Sequence, residues 1–192
     1  VERGDEVCIP DGSFELRAND KITVTAPRSE LVKMLKALKI SNQKIRDVLI
    51  IGGSKIAVYL AEELIKSGVN VKIIEQKLEK CRALSERLPS AVIINGDGTL
   101  QDLLSSEGIE ETDAVISLTN IDEENLVISM YADSCGVPKS ITKINRTEYL
   151  RLFKDRNIGS VICPKMLASY EIIRYVRAMD NTTGGSVKTM YR

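Results

Sequence analysis

The sequence predicts an α/β fold, a doubly wound parallel sheet preceded by the tail of a small α+β module. Two observations carry this. From residue 46 onward, short β-branched apolar runs alternate with stretches whose apolar residues recur at helical spacing, as expected for strands buried on both faces and joined by amphipathic helices. Residues 1–38 follow a different pattern, with turn residues between short strand-like runs.

In that first part, Pro10-Asp11-Gly12 and Asn19-Asp20 flank Phe14-Glu15-Leu16 and Ile22-Thr23-Val24-Thr25, which reads as two short antiparallel strands. Past Pro27, residues Leu31, Val32, Met34, Leu35 and Leu38 share one face of a helix over 29–38. A β-β-α piece of this size buries too little area to stand alone. It is expected to be the end of a preceding module, 1–40, with a polar linker at 41–44. The chain opens on Val1 in mid-pattern and is expected to be the middle of a longer protein.

The stretch 46–75, RDVLIIGGSKIAVYLAEELIKSGVNVKIIE, is a βαβ unit of about thirty residues. Val48-Leu49-Ile50-Ile51 is its first strand and Gly52-Gly53-Ser54 its turn. Helix 55–66 carries Ile56, Val58, Leu60, Ala61, Leu64 and Ile65 at helical spacing. Gly68 follows where a helix end tolerates positive φ, and strand 71–74 ends in Glu75. A helix N-terminus presents unpaired N–H groups and partial positive charge, and a glycine turn lets a pyrophosphate approach the backbone. An acid about twenty residues on accepts the hydroxyls of an adenosine ribose. Together these make a Rossmann-type nucleotide site. Against G-x-G-x-x-G/A, Gly52 and Ala57 fit, and Ser54 stands where glycine is wanted. Its Cβ and hydroxyl either crowd the pyrophosphate or donate to it. The bland reading is a core of this type that holds no ligand, its glycines serving only the turn.

The alternation continues with helix 78–88, strand 91–94, the turn Asn95-Gly96-Asp97-Gly98-Thr99, helix 100–106 and strand 114–118 ending in Thr119-Asn120. Asp122-Glu123-Glu124 introduces helix 125–135, and acids in a first turn suit the helix dipole. Strand 140–144, helix 148–154 and strand 160–163 follow. A last helix, 164–179, is apolar on more than one side through Met166, Leu167, Ala168, Tyr170, Ile172, Ile173 and Val176. It packs either on its own sheet or on a second body, another copy or a further domain. Residues 186–192 look like the first strand of another module, so the expected domains are 1–40, 45–180 and 181–192. Ligands of doubly wound sheets sit outside the carboxyl ends of the strands. Gly52, Glu75, Asp97, Thr119 and Lys143 all lie at or near such ends, which points to a single nucleotide site.

Lysine plus arginine and aspartate plus glutamate balance at 27 each, so net charge gives no indication of nucleic acid. No apolar run approaches the roughly 18 residues needed to span a bilayer. The cysteines form no C-x-x-C pair and read as reduced thiols of a cytosolic protein. Histidine is absent, which removes the commonest metal ligand and general acid/base. The Tyr-x-x-x-Lys spacing of short-chain dehydrogenases is missing too: Arg174 follows Tyr170 at that distance, and Cys135 follows Tyr131.

The order GGSKIA, IIE, NGDGTL, SLTNIDEENL and TKINRTEYL resembles the regulator-of-K⁺-conductance (KTN-type) domains of potassium-uptake systems, and IPDGSFELRANDKITVTAP resembles the end of the small module that follows such domains. The resemblance implies a regulatory domain, not an enzyme, that binds NAD⁺ or NADH, with ADP or ATP as the alternative. It conveys occupancy to a membrane K⁺-translocating subunit through ring-like assemblies. The protein would be cytoplasmic, peripheral on the inner face of the cell membrane, a homo-oligomer through the helix near Met166–Val176. Carried over by position, Gly52, Gly53, Ser54, Lys55 and Ile56 form the phosphate loop and Glu75 takes the adenosine ribose. Asp97 and Gly98 shape the adenine side. Thr119 and Asn120 lie beside the ribose or nicotinamide portion, and Lys143 reaches the phosphates. NADP ranks below NAD because the Glu75 carboxylate repels a 2′-phosphate, with Lys77 nearby in the opposite sense. An oxidoreductase on the same fold is the alternative function, and it requires a proton donor and a substrate domain.

Overall fold

The computed structural model describes residues 1–4, 6–38, 44–152 and 159–182, and the chain divides into two compact units, Val1–Lys44 and Ile45–Arg192.

In the first unit, β1 (Glu2–Arg3) pairs antiparallel with β2 (Glu6–Val7), and Lys21 bridges to Glu2. The two strands expected at 14–16 and 22–25 do not form. Asp20 instead ties the segment down. It accepts Arg3 Nε and Nη2 at 2.8 and 2.7 Å and the Arg17 N–H at 2.8 Å, while the Arg3 guanidinium lies 5.0 Å from the centroid of the Phe14 ring. Strand propensity is decided by the available partner, and here the partner strands lie further toward the N-terminus. Helix α1 (Arg28–Ala37) forms as expected.

The second unit is a six-stranded sheet, all parallel, in the order β5-β4-β3-β6-β7-β8. Its strands are β3 (Asp47–Ile51), β4 (Asn70–Glu75), β5 (Val92–Asn95), β6 (Ala114–Ser117), β7 (Ser140–Lys143) and β8 (Ser160–Ile162). The helices between them are α2 (Lys55–Lys66), α3 (Leu78–Arg87), α4 (Gln101–Ser106), α5 (Asp122–Ser134) and α6 (Thr147–Leu152), with α7 (Pro164–Thr182) last. A 3₁₀ turn at Ile109–Glu111, absent from the sequence reading, precedes β6.

The period of two along β3 divides the core. Val48 and Ile50 pack with Ala57, Ala61 and Leu84 from α2 and α3, whereas Leu49 and Ile51 pack on the other face with Leu104, Ile128 and Ala132 from α4 and α5. This is why the first strand reads as an unbroken apolar run, since both of its faces are covered. Helix α5 starts at Asp122, with the three acids in its first turn, and Asp122 does more than complement a dipole. It is 4% exposed and accepts the N–H groups of Asn145 and Arg146 and the Asn145 amide, at 2.9–3.0 Å. A buried carboxylate needs such donors, and these tie the segment after β7 to the start of α5. On α7, Leu167, Tyr170, Ile172, Ile173, Tyr175 and Val176 are exposed. The module expected at 181–192 falls, from 183 on, outside the described residues, as does 153–158.

Candidate functional site: a cleft at the carboxyl ends of the strands

The turns leaving β3, β4, β5 and β6 converge on one cleft of about 240 Å³. It sits beside β3, the strand from which the sheet order runs outward in both directions, the switch point where doubly wound sheets open a crevice.

Gly52 makes the turn out of β3. Its φ is +101°, and a Cβ there would stand 2.9 Å from the backbone of Leu118 and Thr119. Only glycine combines that backbone with that approach. Gly98 is limited by packing alone, since a Cβ would run into the Ile51 side chain. The turn after β3 therefore packs against the backbone of the turn after β6, and the turn after β5 against the Ile51 side chain.

Ser54 caps α2. Its backbone is ordinary extended (φ −75°, ψ 166°) and its Oγ accepts the Ala57 N–H at 3.3 Å. The position does not require glycine, and serine takes one of the orphan donors of the first turn. The Lys55 and Ile56 N–H groups, in the same turn, keep no intrahelical partner. Their side chains are exposed and lie outside the cleft lining.

Glu75 is 7% exposed. Its Oε2 accepts the Gly53 N–H at 2.8 Å and its Oε1 the Lys77 N–H at 2.9 Å, while Lys80 Nζ stands 3.7 Å from Oε2. On the next turn Asp97 accepts the Thr99 N–H and hydroxyl at 3.0 and 2.7 Å, and the Gln76 amide at 3.3 Å. The two Thr99 bonds hold the Asp97 carboxyl below its usual range. Thr119 is fixed from behind by Asn125, which is fully buried. The Asn125 Oδ1 accepts the Thr119 N–H at 2.8 Å, and its Nδ2 donates to the carbonyls of Thr119 and Lys143 at 3.1 and 3.0 Å.

Of the residues singled out from the sequence, Gly52, Gly53, Ser54, Glu75, Asp97, Gly98, Thr119 and Asn120 come together around the cleft. Lys143 does not line it. It ends β7 at 6% exposure, and burial pushes its ammonium pKa down, with Asp122 acting in the opposite sense. Gln76, Lys77, Lys80, Thr99 and Glu124 also line the cleft and were missed by the sequence reading, apart from the remark on Lys77. The spacing of Lys77 and Lys80, one turn apart at the start of α3, was the available signal. No group of acids and cysteines among the described residues is arranged to hold a metal, and no helix among them is long and apolar enough to cross a membrane.

Comparison with known proteins shows the family and the fold. The chain is 35% identical over 180 residues to the Trk system potassium uptake protein TrkA of Halomonas elongata, covering 94% of this chain and 39% of that protein. It is 34% identical over 179 residues to a TrkA homolog of Archaeoglobus fulgidus, covering 93% and 41%. The chain thus spans about two-fifths of the length of these relatives. Among solved structures, the TrkA-N domain of the inner membrane protein YbaL from Escherichia coli superposes with a TM-score of 0.60 at 16% identity, over 69% of this chain and 98% of that one. The GsuK channel bound to NAD superposes with 0.53 at 17% identity, over 71% and 26%. At such identities the likeness speaks for the fold. Residues 48–164 match the TrkA-N domain, and the chain belongs to the TrkA-N domain family.

Proposed function

We propose that this chain is a nucleotide-sensing regulatory module of a potassium uptake system. The cleft takes NAD⁺ or NADH, and occupancy is conveyed to a membrane subunit that translocates K⁺. The carrying observation is the convergence on one cleft of the Gly52 turn, the N-terminus of α2 and the buried Glu75. In this reading the pyrophosphate meets the Lys55 and Ile56 N–H groups, the adenosine ribose meets Glu75, and the far half lies along Thr119 and Asn120. Gly52 and Gly98 let the turns around the cleft pack closely on Leu118, Thr119 and Ile51. Lys143 approaches the phosphates only if its side chain moves from its buried position.

The module carries no chemistry of its own. Its output is differential binding: a nucleotide shifts the assembled domains only by the difference in its affinity for their arrangements. The exposed face of α7 near Ile172, Ile173 and Val176 is the surface through which copies assemble. Residues 1–40 belong to a small module and 45–180 form the sensing domain. The protein works in the cytoplasm against the inner face of the membrane. ADP and ATP share the adenosine and phosphate portions and are the second reading.

A thermal-shift panel with NAD⁺, NADH, ADP and ATP tests this. A ligand at 100 times its dissociation constant adds about 2.7 kcal/mol and visibly raises the midpoint. A rise with NAD⁺ or NADH supports the proposal, a rise with ADP or ATP alone transfers it to the second reading, and no rise with any of them refutes it.

A further inference from the structure

The ribose end of the cleft sets two lysines, Lys77 and Lys80, beside the acids Glu75 and Asp97. Glu75 is commonly read as an acid that excludes a 2′-phosphate by repulsion. Here that carboxylate is not a free anion. Each of its oxygens accepts a backbone N–H, from Gly53 and from Lys77, and the Lys80 ammonium stands 3.7 Å from Oε2. Lys80 is held at one end only. Its side chain is 44% exposed against 8% for Glu75, and it lines the same cleft as Gln76 and Lys77. A lysine on a four-carbon stem can turn from the carboxylate to a phosphate entering beside it, because an ammonium is a mobile point charge with three donors. Glu75 is not left bare by that movement, since both amide donors remain.

Building on the nucleotide reading above, we propose that Lys80 is a specificity-determining residue. It lets the cleft take adenosine carrying a phosphate on the 2′-oxygen as well as adenosine with a free 2′,3′-diol. The ligand class is then broader than NAD(H), extending to 2′-phosphorylated dinucleotides. Lys80 sets the ratio between the two, with Lys77 adding to the field at the same rim.

Half-site probes isolate this end of the cleft. Adenosine 2′,5′-bisphosphate and AMP are titrated calorimetrically into the chain and into Lys80→Ala and Lys80→Arg, with NAD⁺ as reference. The wild type binds the bisphosphate within about tenfold of AMP. Lys80→Ala weakens the bisphosphate by tenfold or more, the scale of a lost charge-assisted hydrogen bond, and AMP by less than about threefold. Lys80→Arg restores the bisphosphate. If AMP and NAD⁺ bind but the bisphosphate does not, the proposal is wrong. It is equally wrong if Lys80→Ala weakens both probes alike, because Lys80 would then only steady Glu75. If neither AMP nor NAD⁺ binds, the nucleotide reading itself fails and takes this one with it.

Discussion

The carboxylate of Glu75 accepts the backbone N–H of Gly53 at 2.8 Å, so the acid that ends β4 and the turn that leaves β3 behave as one unit. A ribose that engages Glu75 is thereby placed in register with the N-terminus of α2. Glu75→Ala is expected to weaken adenosine-nucleotide binding by about 1–3 kcal/mol, the range for loss of a charged acceptor. Isothermal calorimetry measures this, and unchanged affinity would put the ribose elsewhere.

Ser54 bears on both stability and binding. Removing the cap hydroxyl in Ser54→Ala is expected to lower stability by about 1 kcal/mol, whereas Ser54→Gly costs only a few tenths. Denaturant unfolding followed by circular dichroism separates the two. If Ser54→Ala is as stable as the wild type, the 3.3 Å contact to Ala57 contributes nothing as a cap.

Asn125 fills three hydrogen-bonding roles from a fully buried position. Asn125→Ala would leave the Thr119 N–H and two carbonyls, those of Thr119 and Lys143, without that partner, at about 1–3 kcal/mol for each group left buried and unpaired. The expected result is a large drop in unfolding free energy. The variant should also lose nucleotide affinity when assayed at a temperature where it remains folded, since Thr119 is no longer held at the cleft. Full affinity in the folded variant would show that the loop needs no such support.

The start of β3 supplies a pH dependence. Asp113 accepts the N–H groups of Arg46 and Asp47 at 2.6 and 3.1 Å, and these donors hold its carboxyl below the ordinary value of 3.8. A depressed carboxylate contributes stability above its unfolded value and loses it as pH falls, because the unfolded chain binds the proton first. Thermal midpoints should therefore fall as pH drops through 3.8 and below, and Asp113→Asn should flatten part of that slope. An unchanged slope in the variant would assign the loss to other carboxylates.

The second unit was legible because its signals are local. Val48 to Ile51 is too apolar for a one-faced strand, and Gly52 and Glu75 flank a helix of the right length. The first unit was not, because short strands at its edge are chosen by partners: Lys21 pairs with Glu2, which no propensity at 22–25 reveals. Within the site, residues on the turns were readable from motif spacing. Asn125 lies in the motif SLTNIDEENL but was not singled out within it, and its role appears when β6 and β7 are seen side by side. Lys143 shows the converse. Its position at a strand end was right for a ligand group, but the fold buries it away from the cleft lining.

The most direct test of the central claim is a titration of NAD⁺ into isotope-labelled chain, followed by backbone amide chemical shifts. The account predicts saturable changes at Gly53, Ser54, Lys55, Ile56 and Thr119, with little change around Lys72 and Glu107 at the opposite, amino-terminal end of the strands. Shifts confined to that opposite end, or no saturable shifts at all, would contradict it.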